Sequence, residues 1–262
     1  MKITLVGAGN VGWHLGRKLH SCGLKIVQVF SRQAPKAREL AAQTSADFTD
    51  NLASITPGAD LYLLTVSDDA IAPIAHFLAA NGLGGKLFAH TSGATPMRVF
   101  KGQSAPARYG VFYPLQTFSK NRKPDFSQIP FCVDANTDAD RELLFSLAKK
   151  LSPKVYHIDD EQRAVLHLAA VFVNNFANHL FHAGYEILAK KNLSFELLLP
   201  LIRETAAKLD DGSPCDMQTG PARRKDRETI QRHLDLLKNQ PEYRHLYEVL
   251  TESIHQTYYP TS

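Results

Sequence analysis

Glycines 7, 9 and 12 stand in the run Gly7-Ala8-Gly9-Asn10-Val11-Gly12, a spacing that lets backbone amides close on a phosphate. The chemistry such a run offers is binding rather than bond-breaking. Gly7 permits a tight turn, Gly9 lets main chain approach a pyrophosphate, and Gly12 lets the next helix pack close to a sheet. The helical spacing from Val11 to Leu19 turns unpaired N–H groups and the positive end of a dipole towards that anion.

A second group bears on the same ligand. Roughly 20 residues beyond such glycines, dinucleotide-binding chains carry an acid for the ribose hydroxyl; here the chain has Ser31-Arg32. An acid would repel a 2′-phosphate, whereas a hydroxyl beside a planar cation accepts one. As ligands, Ser31 and Arg32 select NADP over NAD, with Lys36 and Arg38 adding charge nearby; otherwise Arg32 is a solvated surface cation. Val66-Ser67 and His90-Thr91-Ser92-Gly93 end two later strands and face the same crevice. Ser92 can bond a substrate or cap its own loop.

Groups able to move protons lie further on. His167, Val171, Asn174, Asn178 and His182 fall within an arc of about 80° on a helical wheel, and Asn175 and His179 widen it. Such a stripe on an apolar helix faces either a cleft or partners that satisfy it, here a dimer interface. Imidazole passes protons near neutral pH, and His167 is the member nearest the N-terminal half; Asn174 offers an amide to orient a carbonyl. Tyr113-Pro114 ends another strand and can form one wall. Arg223-Arg224-Lys225-Asp226-Arg227 is either an anion clamp or a solvated helix start. No Cys/His spacing points to a metal, and no Ser-His-Asp set stands out.

The elements needed to position these groups are legible. Lys2–Val6, Leu24–Phe30, Asp60–Val66, Lys86–Ala89, Ala107–Tyr113, Pro130–Val133 and Lys154–Ile158 read as strands. Helical patterns over Pro35–Gln43, Ala70–Ala80 and Asp138–Leu151 alternate with them, which predicts parallel pairing in a doubly wound Rossmann-type α/β sheet. Beyond Asp159 every long segment is helical: Asp160–Lys191 as one helix of about thirty residues, then Ser194–Leu209, Asp226–Asn239 and Pro241–Tyr258. The expected division is a dinucleotide-binding domain over 1–158 and an all-α substrate and dimerisation domain over 159–262.

The 262 residues are 44% hydrophobic and 21% charged, with net charge +4 from 30 Lys and Arg against 26 Asp and Glu. No run of five or six like charges argues for nucleic acid. Cys22, Cys132 and Cys215 are an odd, dispersed set that reads as reduced thiols. The apolar stretch Ala164–Leu188 is broken by three His and three Asn, which argues against a membrane span. A cytoplasmic protein is the expectation.

With those motifs in view, the chain resembles the Rossmann-like reductases whose C-terminal half is a helical domain of unknown function. The shared features are Gly7–Gly12, Val66-Ser-Asp-Asp-Ala-Ile71, His90–Gly93, Tyr113-Pro-Leu-Gln-Thr-Phe118, Asn174-Asn175 and Thr219-Gly-Pro-Ala222. More distantly it is similar to pyrroline-5-carboxylate reductase, β-hydroxyacid dehydrogenases and deazaflavin-dependent NADP reductases. The resemblance implies NADP(H) in the first domain, a 6-phosphogluconate-dehydrogenase-like helical domain that forms a homodimer, and a small-molecule substrate between the domains. One departure stands out: aligning the paired Asn of β-hydroxyacid dehydrogenases with Asn174-Asn175 puts Val171 where their catalytic Lys belongs. Tyr113 likewise replaces the His that precedes Pro in prephenate-dehydrogenase-like chains. The expected activity is hydride transfer between NADP(H) and a small carbonyl, imine or hydroxy acid, with His167, Asn174 and Ser92 at the substrate. The alternative is a non-catalytic NADP-binding sensor.

Overall fold

In the computed structural model, which describes residues 1–102 and 105–260, contacts gather into two units, Met1–Val171 and Phe172–Ser262. The sequence pattern changes at 158/159; the contacts change at 171/172.

The first unit is an eight-stranded sheet in the order β3-β2-β1-β4-β5-β6-β7-β8. Its strands are β1 (Lys2–Val6), β2 (Lys25–Phe30), β3 (Asp47–Thr49), β4 (Leu61–Leu64), β5 (Leu87–His90), β6 (Arg108–Pro114), β7 (Phe131–Ala135) and β8 (Val155–His157). The apolar runs explain the central strands: all four residues of β4 and all four of β5 are buried, as sheets covered on both faces require. Helices α1 (Asn10–Ser21), α2 (Ala34–Thr44), α3 (Asp68–Leu78) and α4 (Asp138–Lys149) flank the sheet. In α1, Gly12, Leu15, Gly16 and Leu19 turn inward at helical spacing. Chain order reverses between β1 and β4, the switch point beyond which doubly wound sheets bind ligands.

The parallel pairing expected throughout holds from β3 to β6 and again between β7 and β8, but fails between β6 and β7. β7 runs antiparallel to β6, with Pro114 opposite Phe131 and Gly110 opposite Ala135. A parallel return needs a crossover, usually helical; the connection after Pro114 has only a 3₁₀ turn at Phe126–Gln128 and folds back at the same sheet edge.

Helix α5 (Asp160–Ala170) closes the first unit behind a capping box: Asp159 accepts from the Gln162 amide, and the Gln162 side chain accepts from the Asp159 amide. The single helix expected over 160–191 is interrupted. A π-helical turn, Val171–Phe176, separates α5 from α6 (Ala177–Ala189). By length and composition alone, Asp160–Ala189 could cross a membrane, with mean hydropathy 1.3 over its most apolar window and none of that window buried.

The second unit continues through α7 (Leu199–Ala207), α8 (Pro221–Arg224), α9 (Arg227–Leu236) and α10 (Pro241–Tyr258). Ser194 caps the turn before α7, and Asp226 caps α9. Among the described residues, its buried hydrophobics are only Ala183, Ala222 and Leu237, while Phe172, Val173, Leu197, Leu201 and Leu236 are exposed.

Candidate active site

The ends of β1, β2, β4 and β5 make a crest held by main-chain bonds that prolong the ladder. The Gly7 amide donates to Phe30 O at 2.8 Å, the Thr65 amide to Val6 O at 2.8 Å and the Thr91 amide to Leu64 O at 3.2 Å. Gly7 sits at φ +121°, where L side chains rarely go, and a Cβ there would lie 2.5 Å from Thr65 O. A Cβ on Gly12 would run into the Gly7 carbonyl and lie 2.6 Å from Thr65 Oγ1. That hydroxyl donates to Gly7 O at 2.8 Å, clamping the turn onto β4. Gly9 differs: it N-caps α1 without a side-chain bond, and nothing lies within 4 Å of a Cβ built on it. An open cradle at a helix N-terminus fits a phosphate group.

A cleft of about 380 Å³ continues from this cradle. Gly7, Ala8 and Gly9 line it with Ser31, Arg32 and Lys36 on one side and Thr65, Val66 and Ser67 on another. The structure thus brings most of the residues expected to hold a cofactor into one cleft. Asn10, Val11 and Gly12 form the first turn of α1 behind it. Ser31 Oγ accepts from the Gln33 amide at 3.2 Å, which shapes the loop carrying Arg32. Across the cleft, the Ser67 hydroxyl, first of all, and the Arg32 guanidinium hold the Asp69 carboxyl below its ordinary range. Thr65 escaped the sequence reading; its signal is the polar residue directly after an all-apolar strand.

A second cluster lies where β5 and β6 end. Asp160 accepts the Met97 amide at 2.7 and 3.0 Å and pairs with Arg163, whose Nη2 also donates to Thr95 O at 2.6 Å. These contacts pin α5 along the segment 93–97 and carry His167, one turn beyond Arg163, to Gly93 and Tyr113. His167 Nδ1 lies 3.4 Å from Tyr113 Oη, with the rings edge-on. Arg163 is 1% exposed, and its Nε and Nη1 have no partner among the described residues.

Burial, more than any neighbour, pushes the Tyr113 phenol up to about 12 and the Cys132 thiol up to about 11; Arg163 pulls both the other way. Burial, with Arg163 second, drives the His90 imidazole down to about 3. Both phenol and His90 ring are therefore neutral at physiological pH.

The other expected site residues make bonds of their own. Ser92 Oγ accepts from the Ala94 amide at 3.1 Å and the Thr95 amide at 2.9 Å, so it caps its loop and has only its own proton left to donate. Asn174 belongs to the second unit, exposed on the π turn, its amide donating to Asn175 Oδ1 at 3.3 Å. In the 223–227 run, Arg223 donates to Tyr259 Oη at 2.9 Å and lies over the Tyr258 ring, while Lys225 sits 3.6 Å from the Tyr259 ring centre. Those two cations hold the end of α10. Among the described residues, no group of three or more His, Cys, Asp or Glu is placed to hold a metal ion.

Residues 1–106 match the Rossmann-like domain family, and residues 129–254 match a domain of unknown function, DUF2520. A Bacteroides fragilis protein named as an NADP oxidoreductase is 44% identical, with 97% of this chain and 98% of that one covered and a TM-score of 0.91. A Thermotoga maritima protein is 23% identical over 97% and 99% of the two chains, with a TM-score of 0.76. The imine reductase of Myxococcus stipitatus, in complex with NADP⁺, shares the fold at 16% identity over 98% and 93%, with a TM-score of 0.67. No curated protein matches the sequence. With the near full-length match at 44% identity, the chain belongs to the oxidoreductase family that joins a Rossmann-like domain to DUF2520.

Proposed function

We propose that the chain is an NADP(H)-dependent oxidoreductase that transfers hydride between the nicotinamide and a small carbonyl, imine or hydroxy acid. The observation that carries this reading is the cleft in which the open Gly9 cradle and the Arg32 guanidinium stand together. One offers main-chain amides to a pyrophosphate, the other a planar cation to a 2′-phosphate. The names of the Bacteroides fragilis and Myxococcus stipitatus proteins point the same way. When bound, the nicotinamide supplies or accepts the hydride.

The chain's own residues do the rest. Gly7–Gly12 and Ser67 position the phosphates, and Val66 lies against the cofactor. Ser31 and Arg32 select the phosphorylated ribose. His167 gives or takes the proton, Ser92 donates its hydroxyl proton to the substrate, and Asn174 orients the substrate with its amide. In this reading 1–158 binds the dinucleotide and 159–262 serves substrate and dimerisation. The sparse core of the helical unit and its exposed Phe172, Val173 and Leu197 support a homodimer. The free thiols Cys22, Cys132 and Cys215 suit the cytoplasm.

Fluorescence titration tests the cofactor half: NADPH binds more tightly than NADH, and Arg32→Ala weakens NADPH by about 10- to 100-fold while leaving NADH nearly unchanged. Preference for NADH in the native protein overturns it. A panel of keto acids and cyclic imines followed by NADPH absorbance tests turnover. Tight NADPH binding with no turnover across the panel selects the second reading, a non-catalytic sensor, which Val171 favours, standing where the more distantly similar β-hydroxyacid dehydrogenases have their catalytic Lys.

A further inference from the structure

We propose that Tyr113 is a positioning residue that holds the His167 ring by Nδ1 and so presents Nε2 to the substrate. The inference rests on the proton role assigned to His167 above.

Three features of the first unit carry it. Tyr113 Oη stands 3.4 Å from His167 Nδ1, and the two rings meet edge to face with centroids 6.2 Å apart. Gly93 closes over both: a Cβ there would lie 2.5 Å from Nδ1, 2.7 Å from Tyr113 Cζ and 2.8 Å from its Oη. The backbone can press on the pair only because position 93 has no side chain. The third feature is the clamp at the start of α5, where Asp160 bonds the Met97 amide and Arg163 bonds Thr95 O. It fixes the helix turn just before the one from which His167 projects, so the contact with Tyr113 rests on an anchored helix.

The chemistry of the two groups suits the arrangement. A phenol both donates and accepts, so Tyr113 can give its hydrogen to a bare Nδ1 of neutral imidazole or accept from Nδ1–H of imidazolium. In the reductive direction imidazolium releases the Nε2 proton to the substrate heteroatom as the substrate carbon gains hydride. The Nε2–H bond breaks, an X–H bond forms, and His167 is left neutral with Nδ1–H on the Tyr113 oxygen until water returns a proton. Tyr113 keeps its own proton throughout, as burial of its phenol dictates. The charged and titratable groups acting on the Tyr113 phenol are Arg163, paired with Asp160, on α5 and Cys132 on β7; His90 on β5 feels the same Arg163 cation.

Tyr113→Phe keeps the ring and removes the bond. Long-range ¹H–¹⁵N spectra above neutral pH read the His167 ring directly, with no substrate needed. The expected result is a wild-type Nδ1 resonance displaced from that of an unbonded ring nitrogen, and its return to the unbonded position in Tyr113→Phe. An Nδ1 resonance identical in the two proteins overturns the proposal. With a substrate that the wild type turns over, Tyr113→Phe lowers kcat about tenfold or more with NADPH affinity within twofold; unchanged kcat also overturns it. The oxidoreductase reading fails separately, by a wild type that oxidises no NADPH over the whole panel, and the spectra decide the Tyr113–His167 pair even then.

Discussion

His90 ends β5 with none of its surface exposed, its ring stacked on Phe100 and its Nδ1 accepting from the Ser92 amide at 3.2 Å. Folding removes water from this imidazole and sets the Arg163 cation near it, so the folded protein holds the ring neutral down to about pH 3. In the unfolded chain the same ring gains its proton near pH 6.5. The folded value lies below the unfolded one, so this contribution to stability is fully present above pH 6.5. It is lost as the pH falls through the window from about 6.5 to 3, at roughly 1.4 kcal/mol per pH unit once well below the upper end. Urea unfolding at pH 7 and pH 5.5 reads the part of that window above most carboxylate titrations. The midpoint of the wild type falls between the two, and His90→Gln, which cannot titrate, shows a smaller fall. An equal fall in both proteins places the acid sensitivity elsewhere. His90 therefore takes up no proton in the physiological range.

At the scale of elements, α5 is fixed less by its apolar face than by its first turn. Asp160 serves two partners at once, the Met97 amide and the Arg163 guanidinium, and Arg163 is the largest of the fully buried side chains. Asp160→Ala leaves that cation buried without its carboxylate and frees the Met97 amide. Breaking one side of a buried pair costs about 3–5 kcal/mol, and chemical denaturation of the variant is expected to show a loss of that order. A loss under 1 kcal/mol means that Arg163 finds water or another acceptor. None of this clamp was readable in the sequence, because Asp160 and Met97 stand 63 residues apart and the contact is between a helix start and a loop amide. The Tyr113–His167 pair was hidden for the same reason. What could be read was contiguous: the Gly7–Gly12 turn and the apolar strands β4 and β5 announce themselves over a few residues. Strand β3 was missed because Asp-Phe-Thr is only three residues, too short for its alternation to signify, and its pairing beside β2 is decided by the sheet. The antiparallel turn of β7 was missed because Pro130–Val133 reads the same in either direction; only the lack of a helix between β6 and β7 distinguishes them. The π turn at Val171–Phe176 carries no Pro or Gly to mark it.

At the scale of the whole molecule, the two units differ in how much apolar surface each buries. The sheet of the first unit has both faces filled, one by Ile3, Leu5, Phe112 and Phe131 and the other by Val6, Tyr62, Leu64 and Phe88. The helical unit leaves Val173 78% exposed, Leu197 67% and Leu236 74%, and its few buried hydrophobics include two alanines. At about 25 cal/mol per Å² of apolar surface, a face of that kind is a strong drive to association. The Asp160–Ala189 run has the length and hydropathy for a bilayer as well. Two features favour a protein partner instead: its start is tied to the first unit by Asp160 and Arg163, and the polar side chains Asn174, Asn178, His179 and His182 recur along it. In a bilayer those groups need partners inside the membrane; across a second copy they find them with water at hand. Light scattering on the purified protein should therefore return twice the chain mass of 29.1 kDa. Placing a carboxylate in each exposed face, as in Val173→Asp with Leu197→Asp, should shift that mass to the monomer at micromolar concentration, because an unpaired charge in an apolar contact costs more than the contact returns. NADPH affinity should stay within about threefold, since the cleft of Gly7–Gly9, Arg32 and Thr65 lies wholly in the first unit. A wild type that runs as a monomer, or a double variant that stays dimeric, removes the homodimer from the account and leaves the exposed helical face to some other partner.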